Sequence, residues 1–432
     1  MVKRIRVLCG LLALAIGNAH AADSISLTMP LGMAYGSATD SSDTVQGQLE
    51  GRPRLDVQFA PATSLVLSGR LRLDAEDRLE PGELTRDNYA SLSRPIAFGS
   101  AGSLELRDFY LEHRTDRGII RFGKQQIVWG RLDGLKVLDL VNPQDFREFI
   151  LDDFDQSRIG LWSAYADYSF GPWRAELALV PDGTGHATPE SNAWFELRAP
   201  RFRYGAPPDG ASPPVTSLRP GHGINDAAAG LRLSRQFDLL DLSLVAYSGL
   251  DPEPLGRVLN TGVLERFYRR RDVFGFSAET AFGSLALRAE YAYQPKRVFN
   301  TRSPLGLVLQ RLGQHRAGVG LDWNAPGDFF VNVQYLVDSV NDAPGDLVRP
   351  AKDRVATVFL RRTFAYDTLT ASLRWYRSLE DRDHMASMTL EYDWTEETTL
   401  RISAETFGGS REGLFGQFSD RDRLTLGVEY TF

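Results

Sequence analysis

The sequence predicts an all-β chain: a transmembrane antiparallel up-and-down β-barrel of about 18 strands, with 16 as the alternative count and one short helix in an inserted loop. Three observations predict it. Apolar and polar residues alternate with period 2 in segments of about ten residues, the length a tilted membrane-crossing strand needs. Tight turns and long loops alternate along the chain. An export signal stands at the N-terminus.

Lys3, Arg4 and Arg6 precede an apolar stretch from Val7 to Gly17, and Ala19-His20-Ala21 is a small-x-small cleavage site. That is a secretory signal peptide, residues 1–21, cleaved after Ala21 and too short in its apolar part to span a bilayer. Residues 22–432 then form one barrel domain. Cleavage removes three basic residues and no acid, so the formal charge goes from −7 to −10. It also removes Cys9, the only cysteine, so the mature chain can form no disulfide and bind no thiolate-held metal. An acidic chain argues against nucleic acid. No apolar run of about 18 residues follows the signal, which excludes a helical membrane protein. A soluble periplasmic all-β fold and an outer-membrane barrel remain.

Taken in order, the first strand is Ile25–Tyr35, interrupted by Pro30, and the Ser/Asp-rich loop Ser37–Thr44 follows it. Clear two-faced segments are Ser64–Asp74, Trp173–Val180, Ser284–Gln294, Arg316–Asn324, Phe329–Val337, Thr368–Arg377, Met385–Trp394 and Leu400–Phe407. The last segment is the clearest. Leu424, Leu426, Val428, Tyr430 and Phe432 share one face, and Arg423, Thr425, Gly427, Glu429 and Thr431 share the other.

Tight turns fall at Pro61–Thr63, Thr115–Arg117, Gly171-Pro172, Phe237–Leu239, Gly283-Ser284, Ala325–Gly327, Ala365–Asp367 and Thr395-Glu396. Long connections fall at Arg131–Gln156, Asp182–Ile224, Asp251–Arg269, Arg297–Leu312 and Gly408–Asp420. Short turns at one end and long loops at the other are the outer-membrane layout, with the long loops outside the cell. A soluble sandwich has no reason to sort its loops by side. Each tight turn joins two strands, and the C-terminal strand plus Ile25–Tyr35 bring the count to 18. Aromatic residues flank the tight turns: Phe59, Phe170, Trp173, Phe237, Phe282, Trp323, Phe329, Phe364, Tyr366, Trp394 and Phe432. Such rings settle at headgroup level and outline one interfacial girdle.

The terminal strand ending in Phe432 resembles the assembly signal of bacterial outer-membrane barrels, which implies the barrel-assembly machinery as a partner. Arg121-Phe122-Gly123-Lys124-Gln125-Gln126-Ile127-Val128-Trp129-Gly130, followed by Asn142-Pro143-Gln144-Asp145 and Ile159, resembles an uncharacterised family of porin-like outer-membrane proteins. That family carries a Gly-Arg-Gln-Gln-x-Val-Trp-Gly run and is distantly similar to alginate-export barrels. Lys124 stands here where Arg is usual. The resemblance covers about forty residues and implies an outer-membrane barrel with solute passage, without a substrate.

If the apolar alternates face lipid, the other set faces the lumen: Arg72, Asp74, Arg174, Glu176, Arg288, Glu290, Asn332, Gln334, Arg374, Glu391, Arg401 and Glu405. These residues either line water or pair across strands and fill the interior. The insertion at 131–157 is unlike a solvated loop because it is rich in Leu, Val, Ile and Phe. Asn142 as N-cap and Pro143 at the first helical position predict a helix over Pro143–Leu151. The insertion is expected either to fold inward as a constriction or plug, with Asp145, Arg147, Glu148, Asp152 and Asp153 as its charged residues, or to staple strands from outside. The segment 182–224, rich in Pro and Gly, is expected to be an extracellular loop.

Two basic groups, Arg266 with Arg269–Arg271, and Lys296, Arg297, Arg302 and Arg311, suit either anionic solute or lipopolysaccharide phosphate. The expected role is a channel for small anionic or amphipathic organic solutes, with lipid and lipopolysaccharide around it and no cofactor or metal. A membrane-embedded lipid hydrolase is a competing class, with His315 and His384 near the long-loop ends as its candidate bases. No Gly-x-Ser-x-Gly or His-Glu-x-x-His motif accompanies them. A closed structural or adhesion barrel is the third class.

Overall fold

A computed structural model describes residues 24–41, 43–78, 87–134, 136–210, 214–218, 226–304 and 306–432. The signal peptide lies outside these residues, as do Leu135 and parts of the segment 182–224. Eighteen strands form the wall. β1 comprises Ser24–Thr28 and Pro30–Ala38, and β2 comprises Thr44–Gly51 and Arg54–Ala60. The others, in order, are β3 Thr63–Asp74, β4 Gly102–Thr115, β5 Gly118–Gln125, β6 Leu161–Phe170, β7 Trp173–Val180, β8 Ala228–Gln236 and β9 Asp241–Leu250. Then come β10 Arg270–Phe282, β11 Leu285–Ser303, β12 Gly306–Ala325, β13 Phe329–Val340, β14 Lys352–Phe364, β15 Leu369–Ser378, β16 His384–Asp393, β17 Thr398–Gly408 and β18 Arg423–Thr431.

Every strand pairs antiparallel with its sequence neighbours. The ring closes where β1 meets β18, from Pro30 opposite Thr431 to Ala38 opposite Arg423. Among the described residues, closure at Pro30–Ala38 pairs both edges of the wall there, as crossing a bilayer with strands requires, while Ser24–Thr28 pairs on one side only, with Arg54–Gln58. Met29 separates the two parts of β1, and Arg52-Pro53 separates those of β2. The proline carbonyls keep the wall joined at both breaks: Pro30 accepts from Arg52 N at 2.9 Å and Pro53 from Gly69 N at 3.0 Å.

The outer face carries the apolar alternates, including Leu177, Leu179, Leu244, Leu287, Val333, Met388, Ile402 and Leu426, all exposed on the isolated chain. This belt turns to lipid, and the polar alternates turn inward. All eight expected tight turns gather at one end of the barrel. Phe170, Phe237, Phe282, Trp323, Phe329, Phe364, Tyr366, Trp394 and Phe432 stand exposed there. Arg235 lies over Trp173 and Phe237, and Arg362 lies over Phe329 and Phe364, at 4.6–5.1 Å from the ring centroids. Those arginines place a charge among the headgroups while their stems lie along the rings.

Two sequence expectations need correction. Arg297–Leu312 is not a long loop: β11 and β12 continue as a hairpin, from Arg297 opposite Leu312 to Ser303 opposite Gly306, beyond a register shift between Gln294 and Arg297. No helix forms at Pro143–Leu151. Asn142 does not cap that segment, because its Oδ1 accepts Ile127 N at 2.7 Å and its Nδ2 donates to Ile159 O at 2.7 Å. Gln144 and Asp145 form isolated bridges with Arg158 and Ala187, and Phe149 takes a left-handed φ of 55°. A turn results, closed by Phe149 N donating to Phe146 O. The short helical turn among the described loop residues is instead Gly416–Phe418, between β17 and β18.

Candidate functional site

The chain from Gln126 to Gly160, which joins β5 to β6, enters the barrel. Ile127, Trp129, Leu132, Val137, Leu138, Leu140 and Val141 are buried there and pack on inward residues of the wall, among them Val180, Val273 and Leu336. Each such side chain contributes on the order of 1.5–3 kcal/mol when fully removed from water. The wall makes room with glycine on its inner face. A Cβ at Gly318 of β12 would stand 2.4 Å from Leu132 Cδ1, and one at Gly230 of β8 would stand 2.5 Å from Trp129 Cη2.

Polar anchors complete the attachment. Glu290 on β11 accepts backbone N–H groups of Arg131, Leu132 and Leu138. Arg271 on β10 donates to Leu140 O, and Arg316 on β12 donates to Lys136 O at 2.7 Å. On the opposite wall, Arg70 and Arg72 of β3 bind Asp152 at 2.7 Å and Glu148 at 3.0 Å. Arg107 of β4 donates to the carbonyls of Asp155 and Arg158. The insertion therefore crosses the lumen from β3 and β4 to β10–β12.

The five charged residues singled out in the insertion have distinct fates. Asp145 is buried against Arg147, with Oδ1 2.7 Å from Nε; burial opposes its ionisation, but the guanidinium holds its carboxyl well below the usual range. Glu148 faces Arg72, with Arg423 of β18 at 3.9 Å. Burial pushes Glu148 up; at Asp152 burial also opposes ionisation, but Arg70 and Arg72 together outweigh it and hold the carboxyl down. Asp153 is half-exposed, 3.9 Å from Arg52. Four of these five acids and bases are thus bound within the protein rather than presented to solution.

The twelve inward positions all face the interior, and most are engaged. Arg72 reaches the insertion as described, and Asp74 accepts Glu76 N and Arg78 N. Arg174 pairs with Asp167 rather than Glu176, and Glu176 takes Tyr165 Oη at 2.6 Å and Arg232 at 3.2 Å. Arg288 pairs with Asp322 at 2.7 Å rather than with Glu290. Gln334 donates to Asn332, and Asn332 donates to Asp322. Glu391 pairs with Arg401 at 2.6 Å, and Glu405 with Arg423 at 3.1 Å. Arg374 has no carboxylate or hydrogen-bond partner among the described residues and lies 5.7 Å from the Phe359 ring centroid. Sequence reasoning missed Glu50, Arg70 and Arg423, although they share faces with residues it selected.

The space that remains is divided. A cavity of 430 Å³ lies at the long-loop end, lined in part by Arg201, Tyr204, Arg266, Arg297, Asp338 and Arg349. Deeper, a cavity of 380 Å³ runs along β12–β15, lined in part by Lys136, Phe154, Phe330, Asn332, Phe359 and Arg374. Phe146, Phe149, Ile150, His186, Arg271 and Arg316 line both, so the tip of the insertion is their common boundary. On the other side of the insertion a polar cavity of 390 Å³ is bounded by Glu50, Arg70, Asp152, Glu391, Arg401 and Arg423.

The segment expected as a long outer loop contributes to this boundary. Phe195 is fully buried and meets Phe407 and Phe418, while Phe149 meets Phe415 and Phe418. His186 accepts Gln144 N through Nδ1 at 2.9 Å and lies edge-on to Phe146. Burial lowers its pKa to about 4. Val215–Ser217, Leu264–Phe267 and Leu255–Val258 form a small separate sheet. The two basic groups do not form one rim. Arg271 and Arg297 turn inward to Asp251, while Arg270 and Arg311 are exposed.

The ring nitrogens of His315 are both occupied, Nδ1 by the Tyr291 hydroxyl at 2.6 Å and Nε2 by Asn341 Nδ2 at 2.9 Å. His384 packs over Gly408. Neither geometry presents a nitrogen to a serine or threonine hydroxyl among the described residues.

A closed 18-strand wall, a lipid-facing belt and a girdle of aromatic rings define a bacterial outer-membrane β-barrel. Solved structures share the fold. OccK8 (OprE) of Pseudomonas aeruginosa is 10% identical with a TM-score of 0.55, over 95% of this chain and 99% of that one. OccD3 (OpdP) of the same organism is 8% identical with a TM-score of 0.52, over 95% and 92%. OccAB1 of Acinetobacter baumannii is 10% identical with a TM-score of 0.51, over 94% and 96%. No family model matches the chain, and no curated protein does.

Proposed function

We propose that the chain is an outer-membrane channel for small anionic or amphipathic organic solutes, with the insertion at 131–157 as its constriction. The observation that carries this reading is the pair of cavities that meet at Phe146, Phe149, Ile150 and His186, one at the long-loop end and one deeper in the lumen. A barrel of this strand number encloses an aqueous path unless something fills it. Here the insertion fills part of the cross-section and leaves space beside it.

Constriction by a folded insertion differs from closure by a plug in what remains around it. Within the insertion Glu148 and Asp152 are matched by Arg70, Arg72 and Arg423, and Asp145 by Arg147, so the buried part of its negative charge is neutralised before an anion meets it. The deeper cavity combines Lys136, Arg316 and Arg374 with Phe154, Phe330 and Phe359, a lining suited to a solute with an apolar body and a negative end. The resemblance of Arg121–Ile159 to porin-like barrels supports solute passage. The long loops face the cell exterior, and exposed Arg270 and Arg311 meet lipopolysaccharide phosphate.

Single-channel conductance of the refolded mature chain in a planar bilayer tests the reading. The expected results are steady current and a larger current after deletion of residues 135–153. A correctly folded barrel that passes no current, or a deletion that leaves the current unchanged, would overturn the channel or the constriction respectively. The hydrolase reading finds no support at His315, whose nitrogens are both engaged.

A further inference from the structure

Phe330 on β13 stands opposite Arg361 on β14, and Asn332 stands opposite Phe359, which in turn faces Arg374 on β15. The intervening residues Val331, Leu360 and Leu373 belong to the outer face, so Phe330, Phe359, Arg361 and Arg374 face the lumen. The result is a patch in which phenylalanine and arginine alternate across strands. The two rings meet edge-to-face with centroids 6.0 Å apart and planes at 62°. Arg361 lies 5.5 Å from the Phe330 centroid and Arg374 lies 5.7 Å from that of Phe359.

Two features of this patch are unusual for the lumen. Other inward arginines nearby have carboxylates: Arg288 has Asp322 at 2.7 Å, and Arg349 has Asp338 at 3.0 Å. Arg361 and Arg374 make no ion pair or hydrogen bond among the described residues; ring contacts are what they have. The rings themselves are large apolar groups turned towards a polar interior and only half-buried, where a neighbouring apolar side chain would ordinarily cover them. Phe330, Phe359 and Arg374 all line the 380 Å³ cavity, a size within the range of small-molecule sites.

We infer that Phe330, Phe359, Arg361 and Arg374 form a subsite for a small aromatic carboxylate on the turn-end side of the insertion. The inference rests on the channel reading and narrows its solute class. A planar ring covers the phenylalanine pair in an offset or edge-on arrangement. Its carboxylate supplies the charge that Arg374 lacks and can accept two parallel N–H bonds from one guanidinium. Arg361, one layer nearer the turns, offers the next positive position as the solute leaves. An aliphatic anion would satisfy the arginine and leave the rings uncovered, and a neutral aromatic would do the reverse.

The test uses the refolded mature barrel in a planar bilayer with potassium chloride, to which benzoate or cyclohexanecarboxylate is added. The two anions have equal charge and similar size and differ in the flat ring. Benzoate is expected to block the chloride current at about a tenfold lower concentration, the scale of one good aromatic contact. Phe330→Leu with Phe359→Leu should abolish that preference, so that the two anions block at the same concentration. Arg374→Gln should weaken block by both anions together. Equal block by the two anions in an otherwise conducting barrel would overturn the subsite and spare the channel. If the folded barrel conducts nothing, the channel reading fails. The subsite then stands or falls on calorimetric titration with benzoate: saturable binding lost in Arg374→Gln upholds it, and no binding overturns it.

Discussion

Leu138 donates its backbone N–H to the Glu290 carboxylate at 3.0 Å, inside the barrel and 152 residues away along the chain. The same carboxylate receives Arg131 N and Leu132 N. One side chain of the wall therefore satisfies three N–H groups of a segment that has no regular structure of its own. A buried N–H without a partner costs about 1–3 kcal/mol. Glu290→Ala should loosen the insertion far more than Glu290→Gln, which keeps one acceptor oxygen. Limited proteolysis within residues 131–157, with the heat stability of the barrel as control, measures it. Equal protease resistance in both variants would mean that the apolar contacts alone hold the segment.

Those apolar contacts depend on an absent side chain. A Cβ at Gly318 would stand 2.4 Å from Leu132 Cδ1 and 3.3 Å from Val137 Cγ2, and all its near neighbours are side-chain atoms. Gly318→Ala should cost about 1–3 kcal/mol through overpacking. Leu132→Ala removes the obstructing atoms and costs about 2–5 kcal/mol as a cavity. The double variant should be less damaged than the sum, with a coupling of about 0.5–3 kcal/mol. Strict additivity in a thermal unfolding series would place Leu132 elsewhere than against β12.

The strands were legible because lipid and lumen impose opposite chemistries on alternate residues, so Leu424 to Tyr430 declares its two faces without reference to the rest of the chain. The β11–β12 hairpin was not, because beyond Gln294 there is no lipid to demand an apolar face, and Lys296 and Arg297 read as loop. The helix expected after Asn142 failed for a different reason. Its cap was recruited by Ile127 and Ile159, contacts that exist once the segment has entered the barrel. Alternation likewise told which way Arg174 and Arg288 point but not which carboxylate each would meet. The inward glycines at 230 and 318 were visible as residues, yet their meaning depends on Trp129 and Leu132 arriving opposite them.

His186 offers a pH-dependent contact at the boundary of the two cavities. Burial lowers its pKa from 6.5 to about 4, so the folded protein favours the neutral ring that accepts Gln144 N. A depressed histidine stabilises fully above its unfolded pKa, and that contribution is lost as pH falls from about 6.5 towards 4. Protonation would set two N–H donors against each other at Nδ1. Charged neighbours Glu253, Arg271, Asp251 and Arg297 act on the same ring. The informative quantity is therefore the difference from His186→Asn, whose amide oxygen retains an acceptor and does not titrate. Current fluctuations should rise between pH 6.5 and 4 in the natural protein and stay flatter in the variant. Parallel profiles would remove His186 from the boundary.

Arg72 and Glu148 form a pair whose two halves should respond unequally to removal. Glu148 is buried and its pKa is raised, burial outweighing Arg72 and Arg423. Its charge is thus held at a cost, and Glu148→Gln should leave the insertion about as stable as before, since the amide oxygen still accepts from Arg72. In that variant Arg72 keeps Glu50 at 3.6 Å and Asp152 at 3.8 Å. Arg72→Met leaves Glu148 with Arg423 at 3.9 Å. Removing one partner of a buried pair in this way costs about 3–5 kcal/mol, because the other charge stays in a poor medium. Protease susceptibility of the insertion should therefore rise sharply in Arg72→Met and barely in Glu148→Gln. Lowering the pH should rescue Arg72→Met, because a protonated Glu148 no longer needs a cation. Equal damage in the two variants at neutral pH would show that the pair acts by attraction alone, with no burial cost on the acid.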